Sequence, residues 1–223
     1  TGSITYITVV ITALYFTGAD DNRSLLLAGL ISIWALRLGS FLFIRIIQDG
    51  GDGRFDDIKP NFARFLATWT LQGLWVFLTL CAALAAITSR YVEPIGSIAA
   101  IGAAIWVLGF AIESFADRQK RDFRKDKNNN GKFINTGLWA WSRHPNYFGE
   151  IIIWIGIAII AAPALHGWQW ATMISPIFVT LLLTKVSGVP LLEARADKKW
   201  GGQADYEAYK RDTPVLVPWP PKK

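Results

Sequence analysis

The sequence predicts an all-α protein, a polytopic integral membrane helix bundle of about six transmembrane helices. Three observations predict it. The 223 residues are 52% hydrophobic and include 11 Trp and 13 Phe, too apolar and too aromatic for an ordinary soluble domain. Apolar runs close to bilayer length recur over 25–47, 65–88, 95–112, 147–165 and 170–183; a crossing takes roughly 20 such residues. Of the 23 Lys and Arg, all but Arg23, Arg37 and Arg90 fall in 45–64, in 118–143 or from Lys185 onward. If the crossings alternate, those segments share one side, the asymmetry that marks a cytoplasmic face. The net charge of +6 therefore reads as topology and contact with anionic membrane lipids, and not as nucleic-acid binding.

Residues 4–16 are apolar but short for a crossing. The chain starts at Thr1 and not at Met, which leaves room for a fuller N-terminal helix outside this sequence. Asp20, Asp21 and Arg23 close a first outer turn. The run 25–47 carries Arg37 within its apolar stretch. Residues 48–64 are rich in Gly and Asp. Their GGDG follows no strand and opens no GK[ST] helix, so it reads as a flexible turn. Runs 65–88 and 95–112 form a hairpin across the outer turn 89–94. The second run should continue into the cytoplasm as ESFADRQKRDFRKDK, until Asn128-Asn129-Asn130-Gly131 breaks the helix.

Pro145 falls in the first turn of the next helix, where its missing N–H costs nothing. Trp139 and Trp141 suit an aromatic belt at the membrane surface. The crossing 170–183 is short and can borrow 165–169. Beyond Lys185, residues 191–200 and 205–210 read as short cytoplasmic helices. Pro214, Pro218, Pro220 and Pro221 then give an extended tail. The expected organisation is one membrane domain, 1–223, with a cytoplasmic cap from 113–146 and 186–223. Cys81 is the sole cysteine, which excludes an internal disulfide. With only two histidines besides, His144 and His166, no metal site is expected.

The stretch GLWAWSRHPNYFGE, residues 137–150, puts Arg143, His144, Asn146 and Glu150 at the mouth of an apolar helix. Ionisable groups at that depth are costly and usually mark function. Asn146 and Glu150 are one helical turn apart and share a face. Together they offer the donor and acceptors that a carboxamide needs. Glu113, Asp117, Arg121 and Arg124 form a second helical stripe, acids nearest the membrane and arginines further out. Arginine holds phosphate by bidentate charge-assisted bonds, and a nearby acid can bond a ribose hydroxyl. A C-terminal cap with Glu193, Arg195 and Tyr209 gathers at the same mouth. The pattern suits a nicotinamide dinucleotide and equally an adenosyl cofactor. Part of it also reads as a helix ladder: an Asp117–Arg121 pair is worth only tenths of a kcal/mol.

These residues resemble the steroid 5-alpha-reductase C-terminal superfamily. GLWAWSRHPNYFGEIIIWIG is similar to its hallmark. ESFADRQKRDF before it, LLEARADKKWGG…YEAYKRDTPVLVP after it, and TGSITY and WALRLGSFLFIR near the start resemble its bacterial, functionally unassigned branch. The resemblance spans nearly the whole chain. Sterol reductases and isoprenylcysteine carboxyl methyltransferases share, more distantly, a similar RHP-x-Y element, here Arg143-His144-Pro145-Asn146-Tyr147.

The resemblance implies a helix bundle of a bacterial inner membrane that binds NADPH from the cytoplasmic side and acts on a lipid-like small molecule. It implies that Asn146 and Glu150 lie near the nicotinamide, Asp117 on the adenosine side, and Arg121 and Arg124 at the phosphates. Arg143, His144, Tyr147, Glu113 and Arg195 complete the cofactor-binding candidates. Glu113 stands where the animal enzymes carry Asn. Glu193 and Arg195 stand roughly in place of their C-terminal histidine-rich stretch. The early tyrosine that polarises the substrate carbonyl in those enzymes has no match in 25–47. Arg37 lies there instead and is the candidate catalytic donor; its charge needs a partner, such as Glu113 or Glu150.

Three activities stay open at this point. An NAD(P)H-dependent reductase of an activated C=C bond in a steroid- or lipid-like substrate would pass hydride to the carbon β to a carbonyl. A buried donor would stabilise the developing enolate. An S-adenosylmethionine-dependent membrane methyltransferase fits the RHP-x-Y element and the Tyr206-x-x-Tyr209 cap, but has less use for Arg121 and Arg124. A non-catalytic membrane subunit accounts for the missing tyrosine, but gives no reason to keep Asn146 and Glu150 at that depth.

Overall fold

The computed structural model describes residues 2–49 and 60–221, and the GGDG turn lies outside them. Among the described residues all regular structure is helical and there is no strand. Its α-helices are α1 (Gly2–Thr17), α2 (Asn22–Asp49), α3 (Phe62–Ile87), α4 (Ser97–Lys125), α5 (Pro145–Ala161), α6 (Ile174–Leu181), α7 (Val189–Trp200) and α8 (Ala204–Asp212). Five segments are long and apolar enough to cross a membrane: Asn22–Ile47, Phe62–Ile87, Ser97–Lys125, Pro145–Ala164 and Gly167–Trp200. Gly2–Thr17 is a shorter apolar helix. Large apolar side chains such as Phe43, Phe77, Leu108 and Ile177 stand exposed along these helices, as lipid contact allows and water does not. The protein is a polytopic integral membrane protein. Its residues group into two compact units, 1–101 with 157–175, and 102–156 with 176–223.

In the first unit, Gly18 takes a left-handed conformation (φ 61°) that ends α1. Asp21 then caps α2: its Oδ1 accepts the backbone N–H of Arg23 and of Ser24, each at 3.0 Å. α1 packs on α2 through the buried Tyr6–Trp34 pair, an edge-on contact with ring centroids 5.1 Å apart. The Arg23 side chain is buried and donates to three backbone carbonyls. These are Ile160 (2.6 Å), Pro94 (2.8 Å) and Glu93 (3.3 Å). A buried guanidinium is tolerable because its donors are matched in this way. It ties together the ends of separate helical segments. Ser89 Oγ adds a bond to Ala164 O at 2.9 Å. Cys81 is a buried packing thiol whose Sγ donates to Leu78 O and Thr172 O.

In the second unit, α4 and α5 approach backbone to backbone at glycines. A Cβ on Gly149 would lie 2.6 Å from Glu113 N and 2.7 Å from Gly109 O; one on Gly156 would lie 2.7 Å from Gly102 O. Small residues two turns apart on each helix permit this close crossing. α4 runs on to Lys125, as its unbroken polar extension predicts. The Asp126 carboxylate then caps a short 3-10 turn, Lys127–Asn129, by accepting Asn128 N–H at 2.9 Å. Pro145 is the first residue of α5.

The last crossing differs from the expected simple helix 170–183. Gly167–Met173 is a 3-10 helix, α6 begins only at Ile174, and Leu182–Val186 is a π-turn. Pro176 has no N–H and fits only an α-helix start. Thr180 and Thr184 return their hydroxyls to the carbonyls of Pro176 and Thr180 at 2.7 and 2.6 Å, a habit that bends helices.

Candidate cofactor site

A cavity of about 340 Å3 lies in the second unit, walled by the C-terminal end of α4, the connection to α5, α7 and α8. Among the described residues its cations are Lys120, Arg124, Lys132, Arg143, Arg195 and Lys199, and Glu193 is the one carboxylate lining it. Phe133, Trp139, Trp200, Tyr206 and Tyr209 supply aromatic walls. Such a surface attracts a multiply charged anion that also carries rings.

The connection between α4 and α5 is held rigidly. Trp139 is buried and donates its indole N–H to Ala116 O at 3.0 Å, while Leu138 N–H donates to Gln119 Oε1 at 3.0 Å. Gly137 is in the left-handed region (φ 61°), and a Cβ there would lie 2.6 Å from Gln119 Nε2. Lys120 Nζ sits 4.2 Å from the centre of a Trp139 ring, a cation–π contact.

Glu193 on α7 joins two residues of the RHP element. One carboxylate oxygen accepts from Arg143 Nη1 at 2.6 Å, and the other meets His144 Nε2 at 2.7 Å. A carboxylate only accepts, so the proton between them sits on Nε2. His144 is buried, and its Nδ1 has no hydrogen-bond partner; Arg143 Nε is likewise buried and unpaired. Tyr147 stacks beside His144 at 5.7 Å with ring planes 12° apart. Gly188 makes room for it: a Cβ there would lie 2.9 Å from Tyr147 Cε2.

α8 closes the cavity. Tyr209 donates its phenol to Trp139 O at 2.7 Å. Burial pushes the Tyr209 phenol pKa up; Arg143 opposes the rise and Glu193 adds to it. Tyr206 donates to Asp197 Oδ1 at 2.9 Å, and Lys210 Nζ meets the same oxygen at 2.6 Å. Burial, and then the bond to Asp197, raise the Tyr206 phenol pKa as well.

Of the residues singled out from the sequence, Arg124, Arg143, His144, Glu193, Arg195 and Tyr209 line this cavity. Glu113 and Asp117 form the buried face of α4, at 3% and 7% exposure. Arg121 follows on the same stripe, with Nε buried, 3.7 Å from Asp122 Oδ1 and without a hydrogen bond. Asn146 and Glu150 lie on the first turns of α5, and Asn146 Oδ1 is buried without a partner. None of these five is among the cavity's lining residues. Arg37 lies on α2, in the first unit. Sequence reasoning missed Lys120, Lys132, Lys199 and Phe133. Their lysines sit in basic segments that topology alone already explained.

The charged lining of the cavity is nearly all cationic, and within the same unit Asn146 Oδ1 and, on the cavity wall, Arg143 Nε are buried without a hydrogen bond. Unmatched buried polar atoms are unfavourable unless something else satisfies them.

Comparison with known proteins places the chain in a family. The family described as "Protein of unknown function (DUF1295)" matches residues 1–213. The chain is 26% identical over 118 residues to bovine (Bos taurus) 3-oxo-5-alpha-steroid 4-dehydrogenase 1, covering 53% of this chain and 40% of that protein. It is 28% identical over 118 residues to steroid 5-alpha-reductase DET2 of Gossypium hirsutum, covering 53% of this chain and 41% of that protein. It is 32% identical over 126 residues to Delta(14)-sterol reductase ERG24 of Saccharomyces cerevisiae, covering 51% and 26%. The matched part thus spans well under half the length of these curated relatives. No solved structure gives a significant match.

Proposed function

The chain belongs to the DUF1295 family, and on that premise we propose that it is a membrane-embedded, NADPH-dependent reductase of an activated C=C bond in a steroid- or lipid-like substrate. The cation-lined, aromatic-walled cavity carries the reading. Relatives named as steroid 5-alpha-reductases and a sterol reductase give it its chemistry.

In this reading Arg124, Arg195, Lys132 and Lys199 hold the phosphates, Arg121 is assigned to them by the motif although it does not line the cavity, and the aromatic walls take the base. Asp117 and Glu113 accept ribose hydroxyls. Asn146 and Glu150 grip the carboxamide, which would satisfy Asn146 Oδ1. Arg143, His144 and Tyr147 form the fixed block on which α5 starts. When bound, the cofactor supplies hydride. Arg37 is proposed separately as the donor that stabilises the substrate's developing enolate oxygen. The domain reading follows: one membrane domain, with 113–146 and 186–223 as a cap on the cytoplasmic side of a bacterial inner membrane.

The test is NADPH binding by the detergent-purified protein, followed by nicotinamide fluorescence. Glu150→Ala and Asn146→Ala should each weaken binding about tenfold, the loss of one or two hydrogen bonds. Unchanged binding in both variants removes that pair from the site. Arg37→Lys should leave binding intact and slow only turnover.

A further inference from the structure

The last described residues form a strap whose role the reductase reading does not use. Residues 214–221 follow α8 without helix or strand. Arg143 N–H donates to Pro214 O at 2.9 Å, and Trp219 N–H donates to Trp141 O at 2.9 Å. Between these bonds the fully buried Ser142 donates its Oγ–H to Leu216 O at 2.7 Å, and Ser142 Oγ in turn accepts His144 N–H at 3.1 Å. The strap is therefore fixed in register along residues 141–143. Along it exposure alternates, with Pro214, Leu216 and Pro218 less exposed than the residues between and after them. Val215, Val217 and Trp219 are exposed (39, 59 and 67%), with Trp141 (45%) beside them.

We propose that this apolar edge is an interfacial anchor, seated in the lipid headgroup region where α5 enters the membrane. The position argues for lipid. The strap is bonded to the residues just before Pro145, the first residue of a membrane-crossing segment. Trp and Val at that level suit the headgroup boundary, where indole has both an apolar body and a polar N–H. Pro214, Pro218 and Pro220 remove N–H donors from the strap, which disfavours a protein partner that adds a β-strand. The strap thus fastens the Arg143–His144 block to the bilayer surface through Ser142. The inference does not depend on the reductase reading.

The experiment uses the full chain with Cys81→Ala, reconstituted in vesicles of phosphatidylcholine and phosphatidylglycerol. A single Val217→Cys carries an environment-sensitive fluorophore, and a second protein carries it at Arg211→Cys, exposed on α8. The expected result is severalfold stronger quenching at position 217 by lipids spin-labelled near the headgroup, and severalfold weaker quenching by aqueous iodide, than at 211. Equal iodide quenching at both positions, without lipid quenching at 217, overturns the proposal. Protection of 217 from both quenchers means that protein covers the patch, and overturns it too.

Discussion

Glu193 holds two basic groups with one carboxylate, and both lie at the start of α5. Glu193→Gln keeps the shape and removes the charge. Hydrogen bonds to charged groups contribute about 1.5–3 kcal/mol when buried. Glu193 is 23% exposed, so the loss should fall at the low end of that range, read as a lower melting temperature in detergent. An unchanged melting temperature would mean that Arg143 and His144 are held by the backbone alone. The Arg143-His144 element was legible as a motif, because ionisable groups before an apolar run stand out. Its pairing with Glu193 was not, because it joins residues far apart in sequence. The sequence placed Glu193 only in a loose C-terminal cap.

Tyr209 supplies a second residue-scale test. Its raised phenol pKa means the folded state favours the neutral form, whose O–H donates to Trp139 O. The stability this contributes is full below the ordinary tyrosine pKa of about 10 and is lost as pH rises through the higher folded value. Tyr209→Phe should cost about 1 kcal/mol at neutral pH. It should also remove one late-titrating phenol from the alkaline absorbance titration. If the titration keeps the same number of late phenols, Tyr209 is not held as described.

At the scale of elements, the decisive contacts are glycine approaches and caps. Gly149→Ala would drive a Cβ to 2.6 Å from a backbone nitrogen of α4. Backbone cannot step aside as a side chain can, so overpacking of about 1–3 kcal/mol is expected. Gly29→Ala, where a Cβ meets nothing within 4 Å, is the control that should leave stability intact. Asp21 caps α2 in the first unit. Burial pushes its carboxyl up, but the bonds from Ser24 and Arg23 outweigh that and hold it below the ordinary value. Its contribution is therefore present above the unfolded carboxylate pKa and lost as pH falls through the lower folded one. Asp21→Ala should cost about 1 kcal/mol at pH 7, with the difference from wild type vanishing in acid.

Helix starts and stops were readable to within a few residues because they follow local chemistry: Pro145 opens α5, and α4 ends at Lys125, shortly before the Asn-rich stretch expected to break it, with Asp126 capping the 3-10 turn that follows. The 3-10, α and π succession from Gly167 to Val186 was not. Its apolar composition looks like one uninterrupted helix, and hydroxyl back-bonding by Thr180 and Thr184 has no periodic signal. The cavity itself was only half legible. Arg124 and Arg143 stood out on their motifs, whereas Lys132 and Lys199 could not be told from topological lysines. Only the folding of the α4–α5 connection against α7 gathers them.

For the whole molecule, the charge pattern and the apolar helices describe a membrane protein whose basic segments build a cation-lined cavity. Binding there should weaken with salt, because exposed charges are screened within about 10 Å at 0.1 M ionic strength. Lys199→Ala should weaken NADPH binding at low salt and flatten its salt dependence; an unchanged slope would place the phosphates elsewhere. The central claim is the cofactor. The most direct measurement is a side-by-side titration of the detergent-purified protein with NADPH and with S-adenosylmethionine, with Glu150→Ala alongside. The account predicts saturable NADPH binding that the variant weakens, and no binding of S-adenosylmethionine. Binding of S-adenosylmethionine alone would make the protein a methyltransferase and contradict the account, and binding of neither would leave a membrane subunit without this chemistry.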